Sequence, residues 1–273
     1  MDEPRKYFLA GSREEVIRLE AQADALNELI ENELRILDLK PNMKVLDAGC
    51  GTGAITRKMA SKVFPEEACG VDIDPIFVSE ANKLAADEHI ANVSFALGNI
   101  DGLKYESGTF DLSFCRLVLM HVKDPVKTVA ELKRVTKKDG VVAASDTDDG
   151  GLLTFPATPK FSALWAKYGE KALRRGENRH IGRELYSIFS KAGLNQINIH
   201  PLPVYSTGQA PETLKMLISV RVQIIRSDID AMIGEGITTK EEYEAALEEI
   251  SQMLNHQGAF VMGLFFLAVG KVP

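Results

Sequence analysis

The chain has 273 residues, of which 45% are hydrophobic and 26% are charged, and its formal net charge is −7 at pH 7. This composition is typical of a globular protein and excludes intrinsic disorder, collagen and coiled-coil architectures. The length suits one large domain or one domain with a sizeable insertion. Because a net negative charge gives no general attraction to phosphate backbones, we expect no nucleic-acid partner.

Targeting and membrane segments are not expected. Acidic residues stand at the N-terminus, where a signal peptide carries positive charge. The longest apolar stretch, residues 259–269, is shorter than the ~20 residues that cross a bilayer. The three cysteines, Cys50, Cys69 and Cys115, are widely spaced, as is typical of reduced thiols. We predict a cytoplasmic protein with no membrane insertion and no metal site, and the sequence leaves the oligomeric state open.

The first predicted element is one long amphipathic helix. Ser12 and Glu15 form a capping-box pattern, and apolar residues then recur every three or four positions as far as Leu37. We assign residues 1–40 to an N-terminal helical segment and residues 41–273 to the main domain.

Strand-like and helix-like segments alternate from residue 44 onward. The predicted strands cover residues 44–48, 68–73, 93–97, 110–119 and 141–145, and the predicted helices cover residues 54–63, 77–86 and 126–135. Apolar strands that alternate with helices of about ten residues predict a parallel sheet covered on both faces. The sequence therefore predicts an α/β fold with a doubly wound, mostly parallel sheet.

The pattern changes after residue 145. We predict an irregular insertion over residues 146–180, then a helix over 183–191 and a strand over 196–202. Two helices over 211–233 and 241–254, the second behind a Thr239/Glu242 capping box, precede a seventh strand over 259–272. Since ligands bind at the carboxyl ends of parallel strands, insertions at about 149–182 and 208–257 are predicted to form a substrate cap.

The clearest local motif is VLDAGCGTGAIT, residues 45–56. Gly49, Gly51 and Gly53 follow an apolar strand and precede a helix, an arrangement that lets the backbone approach a nucleotide-like ligand. Gly49, Gly51 and Ala54 also satisfy the dinucleotide fingerprint G-x-G-x-x-G/A, which makes NAD the alternative ligand. Asp47 favours S-adenosylmethionine, because a carboxylate there would face the pyrophosphate of NAD but suits sulfonium and ammonium groups.

A second motif, CGVDIDP, covers residues 69–75. Asp72 ends the second strand, 21 residues after Gly51, where a carboxylate binds a ribose diol. Asp74 is predicted to cap the next helix, and Pro75 suits its first turn.

These motifs resemble class I S-adenosylmethionine-dependent methyltransferases, of the group that includes ubiquinone and menaquinone biosynthesis enzymes. The resemblance covers about residues 43–148 and implies a seven-stranded, Rossmann-like methyltransferase fold. It implies that Asp47 and the three glycines surround the methionine part of the cofactor. It also implies that Asp72 binds the ribose hydroxyls and that Ile73 packs on adenine.

Three further cofactor residues follow from the same resemblance. Asn99 stands where the family commonly has Asp, and its amide can still meet the adenine edge because it both donates and accepts. Ile100 is expected to pack on the ring, and the backbone around Arg116 is expected to line the methionine end.

The segment after the fourth strand bears on the reaction. Amino-directed DNA methyltransferases of this superfamily carry an Asn/Asp-Pro-Pro-aromatic tetrad there, and this chain has none, which argues against base methylation. His121 is a candidate general base, with a helix-start or core-packing role as the alternative. Asp146, Asp148 and Asp149 are expected in a solvated loop.

The insertion is locally basic. Lys171, Arg174, Arg175, Arg179 and Arg183 stand against Glu177 alone, a local charge of +4. We predict that Arg175 and Arg179 contact an anionic group of the substrate, with a solvated face as the alternative. Trp165 and Tyr168 are predicted to form an aromatic substrate wall or to pack in the core.

The N-terminal segment resembles one that folds over the cofactor in some small-molecule methyltransferases. Tyr7, Arg18 and Gln22 are the candidate contacts, and the last two share one helix face because they lie four residues apart. A plain packing helix is the alternative.

The sequence thus predicts an enzyme that transfers the methyl group of S-adenosylmethionine to an O, N, C or S atom of a small molecule and releases S-adenosylhomocysteine. An NAD-dependent oxidoreductase on a similar sheet and a non-catalytic cofactor-binding module are the alternatives.

Overall fold

A computed structural model describes residues 13–273 of the chain. The helices are α1 (Arg13–Ala25), α2 (Asn27–Ile36), α3 (Ala54–Val63), α4 (Pro75–Asp87), α5 (Pro125–Val135), α6 (Pro159–Arg174), α7 (Leu185–Lys191), α8 (Pro211–Gly234) and α9 (Lys240–Leu254). The strands are β1 (Val45–Ala48), β2 (Ala68–Asp72), β3 (Val93–Leu97), β4 (Phe110–Arg116), β5 (Thr136–Phe155), β6 (Asn195–Thr207) and β7 (Phe260–Lys271). Short 3-10 helices cover Leu119–His121 and Ile181–Glu184.

The strands form one sheet in the order β3-β2-β1-β4-β5-β7-β6. β1 pairs in parallel with β2 and with β4, and Asp47 lies between Gly70 and Phe114. Early in β5, the Asp139 backbone N–H donates to the Val272 carbonyl and the Gly140 carbonyl accepts from the Val272 N–H. Because Val272 comes just after β7, this pairing makes β7 antiparallel to β5. The predicted mostly parallel, seven-stranded sheet is confirmed. Because β1, β2 and β4 are parallel, their carboxyl ends lie at one edge of the sheet.

The central strands are buried on both faces, which explains their continuous apolar sequences. Val45, Leu46 and Ala48 are fully buried in β1, and Met59 of α3 is fully buried against the sheet. Two helix N-termini carry the caps that the sequence predicts: Asp74 accepts from the Ile76 backbone N–H, and Thr239 and Glu242 form a capping box.

Three predicted features differ from the structure. The single N-terminal helix is two helices that meet at Leu26, just before Asn27, a weak helix former. β5 does not end at residue 145 but continues to Phe155, and the supposedly irregular insertion contains the sixteen-residue helix α6. The missed helix had a readable pattern, because Phe161, Trp165 and Tyr168 recur at helical spacing.

The chain divides into two compact units. Among the described residues, the first comprises Arg13–Asp146 together with Ile181–Pro201 and Phe266–Pro273, and the second comprises Thr147–His180 and Leu202–Phe265. In the second unit, α6 packs against α8 and α9, and Glu249 of α9 accepts a hydrogen bond from the Phe161 backbone N–H at 2.9 Å. The substrate-cap role of this part of the chain stays a prediction.

The described residues contain neither a candidate membrane-spanning helix nor a candidate metal-ligand cluster. Over residues 13–273, none of the helices combines the length and the hydropathy that a bilayer crossing requires. Within the same range, no three His, Cys, Asp or Glu side chains are placed to hold one metal ion together.

Candidate cofactor and substrate sites

The glycine loop between β1 and α3 is held against β2. The backbone N–H groups of Gly49 and Cys50 both donate to the Val71 carbonyl, at 2.7 and 3.1 Å. Gly49 has a φ of +78°, and a Cβ atom there would lie 2.4 Å from Cγ2 of Val118. Both its backbone conformation and its close neighbour therefore require glycine at this position.

Asp47 is a buried carboxylate at the end of β1, only 2% exposed. Its Oδ2 accepts a hydrogen bond of 2.6 Å from the Thr56 hydroxyl in α3. Burial raises the pKa of Asp47 to about 6, and the charge of Asp72 adds to the rise, while the Thr56 hydrogen bond and Arg116 oppose it. A cationic group close to Asp47 would stabilise its ionised form.

Asp72 lies at the neighbouring strand end and closes the loop. Its Oδ2 accepts from the Gly51 backbone N–H at 2.8 Å, and its Oδ1 accepts from the Asp74 backbone N–H at 2.9 Å. Burial raises the pKa of Asp72, and these two N–H donors oppose the rise. Each carboxylate oxygen keeps a second lone pair, so Asp72 can also accept from a ligand diol.

Apolar side chains stand exposed beside these carboxylates. Ile73 is 43% exposed and Leu97, at the end of β3, is 56% exposed. Asn99 is exposed, and its side-chain oxygen accepts from the Asp101 backbone N–H at 2.9 Å. Ile100 is partly buried against the hydrophobic core of the sheet. Exposed Ile73, next to Asp72, offers a surface on which a flat apolar ring can pack.

The turn after β4 is fixed by buried charges. Nε of Arg116 donates to Oε2 of Glu33 in α2 at 2.9 Å, and Glu33 has no exposed surface. Oδ2 of Asp146 accepts from the Leu119 backbone N–H at 3.0 Å, which holds the 3-10 helix that ends at His121. Asp146 is fully buried within β5, so its expected place in a solvated loop is wrong.

α1 carries two of the predicted cofactor contacts, and they touch each other. Nη1 of Arg18 donates to the Gln22 side chain at 2.9 Å, and Arg18 also binds Glu15 with two hydrogen bonds of 2.6 and 2.7 Å. The predicted shared helix face of Arg18 and Gln22 is confirmed. Tyr7 lies outside the described residues.

A neighbouring residue of α1 binds the glycine loop and was missed by sequence reasoning. Glu20 accepts from the Thr52 hydroxyl and from Nη2 of Arg57 at 2.8 Å. Nη1 of Arg57 in turn donates to the Thr52 carbonyl at 2.7 Å. No sequence motif links Glu20 to Thr52, which is 32 residues away, whereas Thr56 stands inside the glycine motif and could have been identified.

In the second unit, the predicted aromatic residues pack in a core. Trp165 and Tyr168 are 5% and 4% exposed. Their rings stack at 5.3 Å between centroids, and Phe161 stacks on Trp165 at 6.5 Å. The core-packing alternative describes both residues, and a substrate contact for them stays a prediction.

The two arginines predicted to bind the substrate are already paired with acids of the second unit. Nη1 of Arg175 donates to Oδ2 of Asp228 at 2.8 Å. Arg179, 9% exposed, pairs with Asp149 and, at 2.6 Å, with Glu177. The solvated-face alternative is therefore wrong for Arg179, and the local charge of +4 overstates the charge available to a ligand.

Asp148 is buried in β5, and Asp149 is a partly buried residue of the same strand, so neither belongs to a solvated loop. Asp148 accepts from the Gly150 backbone N–H at 3.0 Å and lies 3.3 Å from Nδ1 of His180. These partners offset the low strand propensity of aspartate and explain why β5 continues through an acidic sequence.

Comparison with known proteins identifies the family. A family model described as a methyltransferase domain matches residues 39–193, more than half of the chain. The chain belongs to the methyltransferase domain family. The match runs from before β1 to the end of α7 and includes both the glycine loop and Asp72.

Three relatives illustrate the range of the family. An uncharacterised methyltransferase of Schizosaccharomyces pombe is 32% identical over 59% of this chain, which spans 60% of that protein. A demethylmenaquinone methyltransferase of Bacillus cereus is 29% identical over 62% of this chain and 76% of its own length. A Haemonchus contortus phosphoethanolamine N-methyltransferase, solved with phosphomonomethylethanolamine and S-adenosylhomocysteine, has a TM-score of 0.55 and 20% identity, over 89% of this chain and 53% of its own. The predicted resemblance and the Rossmann-like methyltransferase fold are confirmed.

Proposed function

We propose that this protein transfers the methyl group of S-adenosylmethionine to an O, N, C or S atom of a small-molecule acceptor. The observation that carries the proposal is the pair of carboxylates, Asp47 and Asp72, that flank the glycine loop at neighbouring strand ends. Membership in the methyltransferase domain family and the S-adenosylhomocysteine bound to a protein of the same fold support it.

The residues present fit this cofactor. Asp47, with its raised pKa of about 6, suits the ammonium group of the methionine part, whereas a pyrophosphate would raise that pKa further. Asp72 has lone pairs for the ribose hydroxyls, and Ile73 supplies the apolar surface for adenine. Bound S-adenosylmethionine would supply an electrophilic methyl group. The protein then has to align the acceptor and exclude water, and such positioning can supply most of the catalysis.

We further propose His121 as a general base for acceptors that must lose a proton. It ends the 3-10 helix that Asp146 fixes after β4, the strand that ends at the same sheet edge as β1 and β2. His121→Gln is expected to lower turnover about 100-fold or more while the Kd for S-adenosylhomocysteine stays within about twofold. Unchanged turnover in this variant would exclude the role.

A product assay tests the proposed function. The protein is incubated with S-adenosylmethionine and a panel of small metabolites, and S-adenosylhomocysteine and methylated products are detected by mass spectrometry. We expect at least one acceptor to gain a methyl group, and we expect Asp72→Asn to reduce the rate at subsaturating cofactor. If the protein binds S-adenosylhomocysteine tightly yet methylates no acceptor in a broad panel, the result favours the non-catalytic alternative.

A further inference from the structure

One arginine of the second unit lies on the apolar stripe of a helix. The buried positions of α8 include Leu214, Leu217, Ile218 and Ile225, and Arg221 falls on the same face at helical spacing. A long charged side chain on the buried face of a helix needs a polar partner, because burying an unpaired charge is costly.

The described residues satisfy only part of the hydrogen-bonding capacity of Arg221. Its Nη1 donates to the Leu217 carbonyl at 3.1 Å. Its Nε is buried and, over residues 13–273, has no acceptor. Within the same described residues, no carboxylate lies within ion-pair distance of Arg221, in contrast to the ion pairs of Arg175 and Arg179. The guanidinium edge formed by Nε and Nη2 is therefore left without a counter-ion by this part of the chain.

The strand opposite leaves room for that guanidinium. A Cβ atom on Gly263 of β7 would lie 2.7 Å from Nη2 of Arg221, so a side chain at residue 263 would displace it. Burial lowers the pKa of Arg221, with Arg179 adding to the fall and Asp149 opposing it. A guanidinium nevertheless stays charged at neutral pH. The fold thus holds a partly buried cation, with its Nε fully buried, in a fixed place.

A second buried donor lies close by. Cζ of Arg221 is 6.0 Å from the centre of the Trp165 ring. The indole N–H of Trp165 is buried and has no acceptor among the described residues. Two buried N–H donors without acceptors, beside a positive charge, match the needs of an oxyanion, whose oxygens accept several hydrogen bonds.

We propose that Arg221 anchors a carboxylate or phosphate group of the methyl acceptor, with the Trp165 indole as a second donor. The Nε and Nη2 atoms of one guanidinium match the two oxygens of such a group. This inference rests on the proposed function only in taking the ligand to be the acceptor. It moves the expected anion contact from Arg175 and Arg179, whose charges are already paired, to Arg221.

Binding of simple anions tests the proposal without cofactor. Thermal unfolding is followed with sodium phosphate, sodium acetate or sodium chloride at one ionic strength. We expect phosphate or acetate to raise the unfolding midpoint above its value in chloride. The salt that raises the midpoint shows whether the site binds a phosphate or a carboxylate group. Arg221→Met is expected to lose this rise, whereas Arg226→Met, on an exposed position of the same helix, keeps it.

The variants also separate an anion site from a structural arginine. In chloride, we expect Arg221→Met to unfold at the same or a higher temperature, because a buried unpaired cation is replaced by an apolar side chain of similar length. Trp165→Phe is expected to weaken anion binding less than Arg221→Met does. A lower unfolding midpoint of Arg221→Met in chloride, or an equal response of wild type to all three salts, would overturn the proposal.

Cofactor binding distinguishes this failure from failure of the proposed function. Arg221→Met should keep the wild-type Kd for S-adenosylhomocysteine, measured by calorimetry, and its KM for an anionic acceptor should rise about tenfold or more. If the KM of Arg221→Met rises but phosphate or acetate still raises its unfolding midpoint as in the wild type, the anion site at Arg221 is excluded. The proposed methyl transfer would remain intact.

Discussion

The glycine loop of the first unit and the cation–aromatic cluster of the second unit (Trp165, Tyr168, Arg175 and Arg179) differ in how their partners are distributed along the chain. In the loop, the contacts of the two motif carboxylates stay within the two motifs: Asp47 accepts from Thr56, nine residues away, and Asp72 accepts from Gly51, 21 residues away. In the cluster, Arg179 contacts Glu177, two residues away, but its other acid, Asp149, is 30 residues away, and Asp228 is 53 residues from Arg175. Carboxylates whose partners lie inside sequence motifs can be identified from the sequence, whereas the net charge of a cluster with distant partners cannot be counted from one segment.

Arg179→Met gives the largest expected effect on the cluster. The substitution removes the cation from the Asp149 side chain, which is only 8% exposed, and breaking such a pair costs about 3 to 5 kcal/mol. Glu177 keeps its ion pair with Arg175. Thermal unfolding should show this loss, with exposed Arg174→Met as the control that stays near wild type. If Arg179 instead served a substrate alone, Arg179→Met would leave the unfolding midpoint unchanged.

Gly49→Ala is the corresponding test of the loop. The new Cβ atom meets Val118 at 2.4 Å and forces a positive φ on alanine, so we expect a loss of about 2 to 4 kcal/mol of stability and of cofactor affinity. Gly102→Ala is the matched control, because a Cβ atom there meets no atom within 4 Å. Calorimetry with S-adenosylhomocysteine that finds equal affinity in both variants would contradict the described loop.

Asp47→Asn should separate stability from binding. The pKa of Asp47 is about 6 when folded, above the ordinary 3.8, so the folded protein binds this proton more tightly than the unfolded chain. Asp47 therefore lowers stability as pH rises from about 4 to 6, and the cost persists above that range.

At pH 7.5, in the absence of cofactor, we expect Asp47→Asn to gain about 1 to 3 kcal/mol of stability and to bind S-adenosylhomocysteine at least tenfold more weakly. The gain should shrink at pH 5, and denaturant titration at both pH values measures it. A variant that is less stable than wild type at pH 7.5, or that binds as tightly, would refute this role.

Glu20→Gln is the smallest expected change. Glu20 joins α1 to Thr52 and Arg57 but is partly exposed, so the loss should be about 0.5 to 1 kcal/mol. Glu31→Gln, which removes a more exposed ion pair with Lys62, is the control and should change stability less. Equal effects of the two substitutions on unfolding would show that α1 gains nothing specific from the glycine loop.

Most of the fold and part of the candidate site follow from the sequence because they depend on local patterns. β1, α3, β2 and β3 lie within one or two residues of their predicted bounds, since each combines apolar periodicity with a glycine or proline boundary. The predicted fifth strand ends too early, because Asp146, Asp148 and the following glycines are typical of a loop. Only tertiary partners, such as the Leu119 N–H and His180, explain why these aspartates are buried in a strand.

The same limit applies to the charges of the site. The buried Glu33–Arg116 pair and the Glu20 contact join residues of separate elements, and no spacing rule connects them. Arg221 shows the converse case, because no sequence motif distinguishes it, while the structure places it on the same helix face as buried Ile218 and Ile225.

The most direct test of the central claim is a thermal-shift comparison of S-adenosylmethionine, S-adenosylhomocysteine and NAD on the wild type and on Asp72→Asn. A ligand at about 100 times its Kd adds ~2.7 kcal/mol, which is several degrees for a chain of this size. We predict a shift with both S-adenosyl ligands, a smaller shift in Asp72→Asn and none with NAD. A shift with NAD alone would contradict the assignment of Asp47 and the proposed function.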